Sequence, residues 1–342
     1  VAIGKDALFN STTADNNTAV GQSAMFANTT GTSNVAVGLS ALAANTTAAN
    51  NTAVGATALA ANTTGTQNTA VGGEALVANT TGDQNTAVGL AALGANTTGQ
   101  DNVGIGRAAL AANTTGTENV AVGSSALLAV TTGSYNQAFG KSAGVALTTG
   151  ATNIAIGNAS LATATTADGN VAIGHSSMTA STTGASNVAV GLDSLKANTT
   201  GAENTAIGAY ALQGNTTGTR NTAVGLLAMD ANTTGADNVA MGKQALGSAT
   251  TAGNNTAIGR SALVAVTTGT ENTTVGKSSG NNITTGSYNT MIGSDTTITN
   301  ATTNNANSLG FGIASTSGYT TIGITTSDIL SLIHISEPTR PY

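Results

Sequence analysis

Chemistry needs groups that titrate, attack or ligate, and this chain of 342 residues offers few of them: two His, no Cys, nine Lys and Arg, fifteen Asp and Glu. Acid–base or nucleophilic work needs at least two such groups within hydrogen-bond reach. His175 is the one His inside the regular part of the sequence, and the carboxylates near it in sequence are isolated. A metal site would need several ligands together. The sequence therefore predicts a non-enzyme with no catalytic, metal-binding or cofactor-binding residues and no cofactor. What recurs instead is amide and hydroxyl. Nine Asn-Thr-Thr triplets, at Asn28, Asn45, Asn62, Asn79, Asn96, Asn113, Asn198, Asn215 and Asn232, match the N-glycosylation pattern. At a corner of the chain the same residues satisfy backbone groups and stack into side-chain ladders, and that structural role is the preferred reading.

The element that must position these residues is a seventeen-residue repeat, visible in the pentapeptide Asn34-Val35-Ala36-Val37-Gly38 and its copies. Its Asn, here position 1, recurs at Asn17, Asn34, Asn51, Asn68, Asn85, Asn102, Asn119, Asn136 and Asn153 and continues to Asn289. A Gly follows four residues later, at Gly21, Gly38, Gly55, Gly72, Gly89, Gly106, Gly123 and Gly140 and on to Gly293. The consensus coil is Asn-(Thr/Val)-Ala-(Val/Ile)-Gly-x-x-Ala-Leu-x-Ala-Asn-Thr-Thr-Gly-x-x. Fixed self-similarity of this kind outranks any local secondary-structure reading. The Asn column is expected to form a structural ladder, and the Gly column a structural corner that only Gly can occupy.

Residues 1–293 thus predict an all-β fold, a parallel β-solenoid of seventeen-residue coils. Charged residues make up 7% of the chain and aromatics 3%, so small side chains must carry the packing. Positions 1 to 4 read as a short strand. Thr-Thr-Gly at positions 13 to 15 reads as a second, less strict corner, where Ala48, Ala167 and Ala252 replace the Gly. Ala-Leu-x-Ala-Asn between the corners could be a strand or a helical turn. A coil this short cannot hold a full helical crossover, so two strands per coil are favoured.

Charge placement sharpens the expectation. Every charged residue of the array, from Lys5 and Asp6 through Glu74, Arg107, Lys196 and Asp230 to Glu271, falls at position 6, 7, 10, 16 or 17, as does His175. Positions 2 to 5 carry none, although alternation must aim half of those side chains away from the coil interior. A covered interface, most simply with a partner chain, is the expected reason. The net charge of −6 is spread thinly and no basic stripe exists, which argues against nucleic acid. No apolar run is long enough for a membrane span. Thr occupies positions 13 and 14 in all sixteen full coils, which raises ice or crystal-surface binding as an alternative; two outward Thr ranks would favour it.

The pentapeptides Asn51 to Gly55 and Asn170 to Gly174 resemble the head repeats of trimeric autotransporter adhesins of the YadA-like kind. The resemblance covers residues 1–293, with a repeat a few residues longer than is usual there. It implies a left-handed β-roll, a homotrimer, and a non-enzymatic adhesive rod on the outside of a bacterium, anchored in the outer membrane through a C-terminal part. Its partner would be a host cell surface, a glycan or a matrix protein. The longer repeat also looks like those of phage tail-fibre-like proteins, which implies host recognition from a virion as the alternative.

Residues 294–329 read as an irregular β transition towards a stalk or C-terminal module, because terminal repeats of solenoids are atypical. Residues 330–342 hold both prolines, and one codon choice for Leu330 to Arg340 spells a transposase-type sequencing adapter. That tail is read as non-native, and the chain as a fragment open at both ends.

Overall fold

In the repeat array strand is rationed to three residues per coil. The computed structural model describes residues 1–324 and the backbone of residues 327–329. Among them every regular element is β and there is no helix. The strands coincide with positions 2 to 4, as at Thr18–Val20, Val35–Val37 and Val120–Val122. β-branched side chains at positions 2 and 4 favour extended backbone. Gly at position 5 ends it. Gly123, for example, has φ 137°, and a Cβ there would lie 2.5 Å from the carbonyl oxygen of Gly140 in the next coil. Both the conformation and the close approach exclude a side chain.

Residues 1–200 form one compact unit, in which each strand pairs in parallel with the strand seventeen residues on: Thr18 with Val35, Ala36 with Ala53, Ala155 with Ala172. The unit is a parallel β-solenoid. A second unit begins at Gly201 and is built in the same way, with Thr205 opposite Thr222 and Ala240 opposite Ala257. In both, Ala at positions 3 and 8 and Leu or Met at position 9 fill the coil interior, as Ala36, Ala41 and Leu42 do in one coil and Ala223, Ala228 and Met229 in another, all with no exposed surface.

The favoured second strand does not form. Within the array, positions 6 to 11 turn instead, because positions 7 and 9 take positive φ, 52° at Ser40 and 53° at Leu42. Such a conformation costs a non-Gly residue about 1–2 kcal/mol. Turning the Leu inward offsets it, since full burial of a Leu contributes about 1.5–3 kcal/mol. The turns also stack without strand geometry: the amide of Leu42 donates to Ala58 O at 2.9 Å and that of Ala44 to Ala60 O at 3.0 Å, one coil along. Backbone groups are thereby satisfied coil to coil, as buried ones must be.

After Gly293 the register of seventeen persists for one more step, Thr290 pairing with Asn307 and Thr297 with Ala314. It then shortens to thirteen, Asn307 opposite Thr320, and the chain reverses so that Ile322 pairs antiparallel with Ile329. Here a second strand does appear, at Thr297–Ile298. Position 9 is Thr297 in this coil; a β-branch disfavours positive φ without excluding it, since Thr57 at position 7 has φ 54°. The non-native reading of residues 330–342 lies outside the described residues.

Candidate functional site

Asn at position 1 lies inside the coil. Asn34, Asn51, Asn68, Asn85, Asn102, Asn119 and Asn136 have no exposed surface, and Asn17 and Asn153 keep 7% and 1%. Each side-chain oxygen accepts the backbone N–H of the Asn one coil on: Asn34 N to Asn17 Oδ1 at 2.9 Å, Asn136 N to Asn119 Oδ1 at 3.0 Å. Each side-chain nitrogen crosses the coil to the carbonyl of position 15, as Asn119 Nδ2 does to Gly133 O at 2.8 Å. In the second unit the column ends on Asn289, whose oxygen is taken by the backbone N–H of Ala306 at 2.9 Å. The corner glycines Gly21, Gly38, Gly55, Gly72, Gly89, Gly106, Gly123 and Gly140 all have φ between 130° and 142°.

A second buried amide column runs through position 12. Asn79 Nδ2 donates to Asn62 Oδ1 at 2.8 Å and to Gly82 O at 3.0 Å. Asn96, Asn113 and Asn232 repeat the pattern. All nine triplet Asn are fully buried, so in the folded coil their amides are committed to this ladder and closed to a glycan. The ladder is directional, each nitrogen pointing back one coil. Asn113 and Asn232 are followed at position 12 by Val130 and Ala249, which have nothing to donate, and the oxygens of these two Asn lack a partner. The sequence showed the substitutions but not these stranded acceptors, which follow only from the direction of the ladder.

In coils carrying Gly144 and Gly280 at position 9, the missing Leu is replaced from position 12 by Leu147 and Ile283, both buried. A Cβ on Gly144 would stand 3.1 Å from Leu147 Cδ1. Apolar volume has moved within the coil rather than been lost.

The Thr pair divides its duties. Position 13 is half-buried, and its hydroxyl donates to the position 13 carbonyl of the next coil, as Thr114 Oγ1 does to Thr131 O at 3.0 Å. Position 14 is exposed throughout the array, as at Thr30, Thr115 and Thr234. One outward Thr rank results, not the two that ice binding would favour. His175 is exposed at a corner. Among the described residues no three His, Asp or Glu side chains gather as a metal-holding group, and no helix is long and apolar enough to cross a membrane.

The strand face has one orientation. Ala at position 3 points in, and positions 2 and 4 point out: Ile105 is 38% exposed, Met241 43% and Val275 37%. The alternation that the sequence left open is thereby resolved, with an uncharged, largely apolar strip of Thr, Val and Ile outside the coil. No protein-family model matches the chain, and neither does any curated protein.

Proposed function

We propose that this chain is a non-enzymatic structural and attachment element, the head or shaft of a homotrimeric surface adhesin or fibre. The observation that carries the reading is the outward strand face, uncharged at positions 2 and 4 in coil after coil. Isolated exposed apolar residues are ordinary, whereas a contiguous strip marks an interaction surface. Covering a half-exposed Val or Ile contributes about 1 kcal/mol at about 25 cal/mol per Å². Repeated over about ten coils, that is comparable to an association cost of about 4–15 kcal/mol. Three such faces meet on one axis in this reading, which leaves the Thr rank of position 14 to the solvent and to the target surface.

The resemblance of the pentapeptides to YadA-like heads supports this assignment, and a β-solenoid suits a fibre because each coil contacts only its neighbours. The location would be extracellular, on a bacterial outer membrane or a virion, and the target a host cell surface, glycan or matrix protein. Sedimentation equilibrium of the full chain tests the assembly: the expected mass is three chains, and Val122→Asp, which places a charge on the strand face, releases monomers. A stable, soluble wild-type monomer would overturn the trimer. Binding of the trimer, but not of the Val122→Asp monomer, to immobilised cells, matrix proteins or glycans tests attachment; a trimer that binds none of them leaves a fibre without adhesion.

A further inference from the structure

The two sides of the strand face are not equivalent. The face is three residues wide, about 10 Å at a rise of about 3.3 Å per residue, and is flanked by position 17 where the strand starts and position 6 where it ends. Of the eight Lys and Arg before residue 330, six stand at position 6: Lys5, Arg107, Lys141, Lys243, Arg260 and Lys277. Of the thirteen Asp and Glu before residue 327, eight stand at positions 16 and 17 and four at position 7. The acids at position 7 fall in coils without a base at position 6, apart from Asp6 beside Lys5. Arg220 is the one base in the acidic columns, and it is held by Asp237, Nε to Oδ1 at 2.7 Å.

Three strands carry both charges at once. Asp101 precedes Val103–Ile105 and Arg107 follows it; Asp237 and Lys243 bracket Val239–Met241; Glu271 and Lys277 bracket Thr273–Val275. All six side chains belong to exposed residues. Arg107, Lys243 and Lys277 make no ion pair within the chain among the described residues.

We propose that these edges orient the association of one copy with the next: copies lie parallel, and the basic strand-end edge of each meets the acidic strand-start edge of its neighbour. The proposal rests on the reading that copies meet through the strand face. For either unit taken by itself, rotation about an axis parallel to its coil stack brings a start edge against an end edge at the same height, so that Arg107 meets Asp101 of the neighbouring copy in the first unit and Lys277 meets Glu271 in the second. Face-to-face packing of antiparallel copies would instead set start against start, acid against acid. Like charges brought together at an interface are a means of rejecting the wrong arrangement. About the threefold axis of the proposed trimer such an interface is heterologous and closes into a ring.

Charge exchange in the full chain tests this. Arg107→Glu with Lys277→Glu sets acid against acid at these two strands, and Asp101→Lys with Glu271→Lys sets base against base there. Each pair of changes is expected to weaken assembly by about tenfold or more at low salt, and the fourfold variant carrying all four changes should recover to within about threefold of wild type. Sedimentation equilibrium gives the dissociation constants, with circular dichroism as the check on folding. Wild-type assembly itself should weaken between 0.05 M and 1 M NaCl, since exposed charges are screened beyond about 3 Å at 1 M; this holds whether or not a variant folds. Folded half-exchanged variants that assemble like wild type, or a salt-independent wild type, would overturn the oriented edges while leaving a trimer intact. A monomeric wild type would remove the underlying reading instead.

Discussion

Two columns of buried asparagine run through the same coils, and within each of the two units only one of them is unbroken. At position 1, the oxygen of each Asn is met by a backbone N–H, which every non-Pro residue supplies. The column therefore closes properly even where the next coil offers Ala306 in place of Asn. At position 12, the oxygen is met by the side-chain nitrogen of the following Asn, so the ladder lasts only while Asn lasts. Where Val130 and Ala249 follow, a buried acceptor is stranded. The same residue in the same interior thus makes a robust seam when its partner is main chain and a conditional one when its partner is another side chain.

The sharpest way to break the contrast is Asn119→Ala, which strands the buried amide of Asn136 and removes the bond to Gly133 O. A loss of about 2–4 kcal/mol is expected by urea unfolding followed by circular dichroism. Asn79→Ala, at position 12, strands only the oxygen of Asn62 and leaves Asn96 Nδ2 its bond to Gly99 O, so about 1–3 kcal/mol is expected from the same measurement.

How far each column could be foreseen differs in the same way. The seventeen-residue spacing of Asn34, Asn51 and Asn68 places them in line without knowledge of any turn, because a strict period forces equivalent residues to stack. The Gly column was equally legible, since a site that admits only Gly announces a positive φ or a close backbone. What could not be foreseen was the path between the corners. Leu at position 9 has no preference that demands positive φ, and its turn is settled by the interior it fills. After the array the same place becomes strand, at Thr297 and at its partner Ala314, so neither outcome was written in the one residue type. The direction of the position 12 ladder was hidden as well, since Asn presents both donor and acceptor and the sequence does not say which faces forward.

A finer comparison comes from transplanting the coil of Gly144 and Leu147 into the Asn ladder. Leu59→Gly and Asn62→Leu should each destabilise, but the double variant should be less costly than their sum by about 1–3 kcal/mol, because the Leu vacates the space its replacement needs. Additive losses in a double-mutant cycle would mean that the volume does not move within the coil. The smallest effect belongs to Val130→Asn. It gives Asn113 Oδ1 a donor but strands the new oxygen against Leu147, so it moves the defect one coil without curing it. A net change within about 1.5 kcal/mol is expected, allowing for the apolar surface lost with Val; a clear stabilisation would show that the acceptor at the end of a run is better solvated than its burial implies.

The position 1 seam also bears on how such a chain can change length. Because each Asn there asks nothing of its neighbour beyond a main-chain amide, a whole coil can be deleted or duplicated between two others and the seam re-forms across the joint. The gene can vary in units of seventeen codons without redesigning either side of the cut. Position 12 sets the terms on which that freedom is used: a join that lets Asn follow Asn passes unnoticed, and one that ends a run adds a stranded oxygen to the interior.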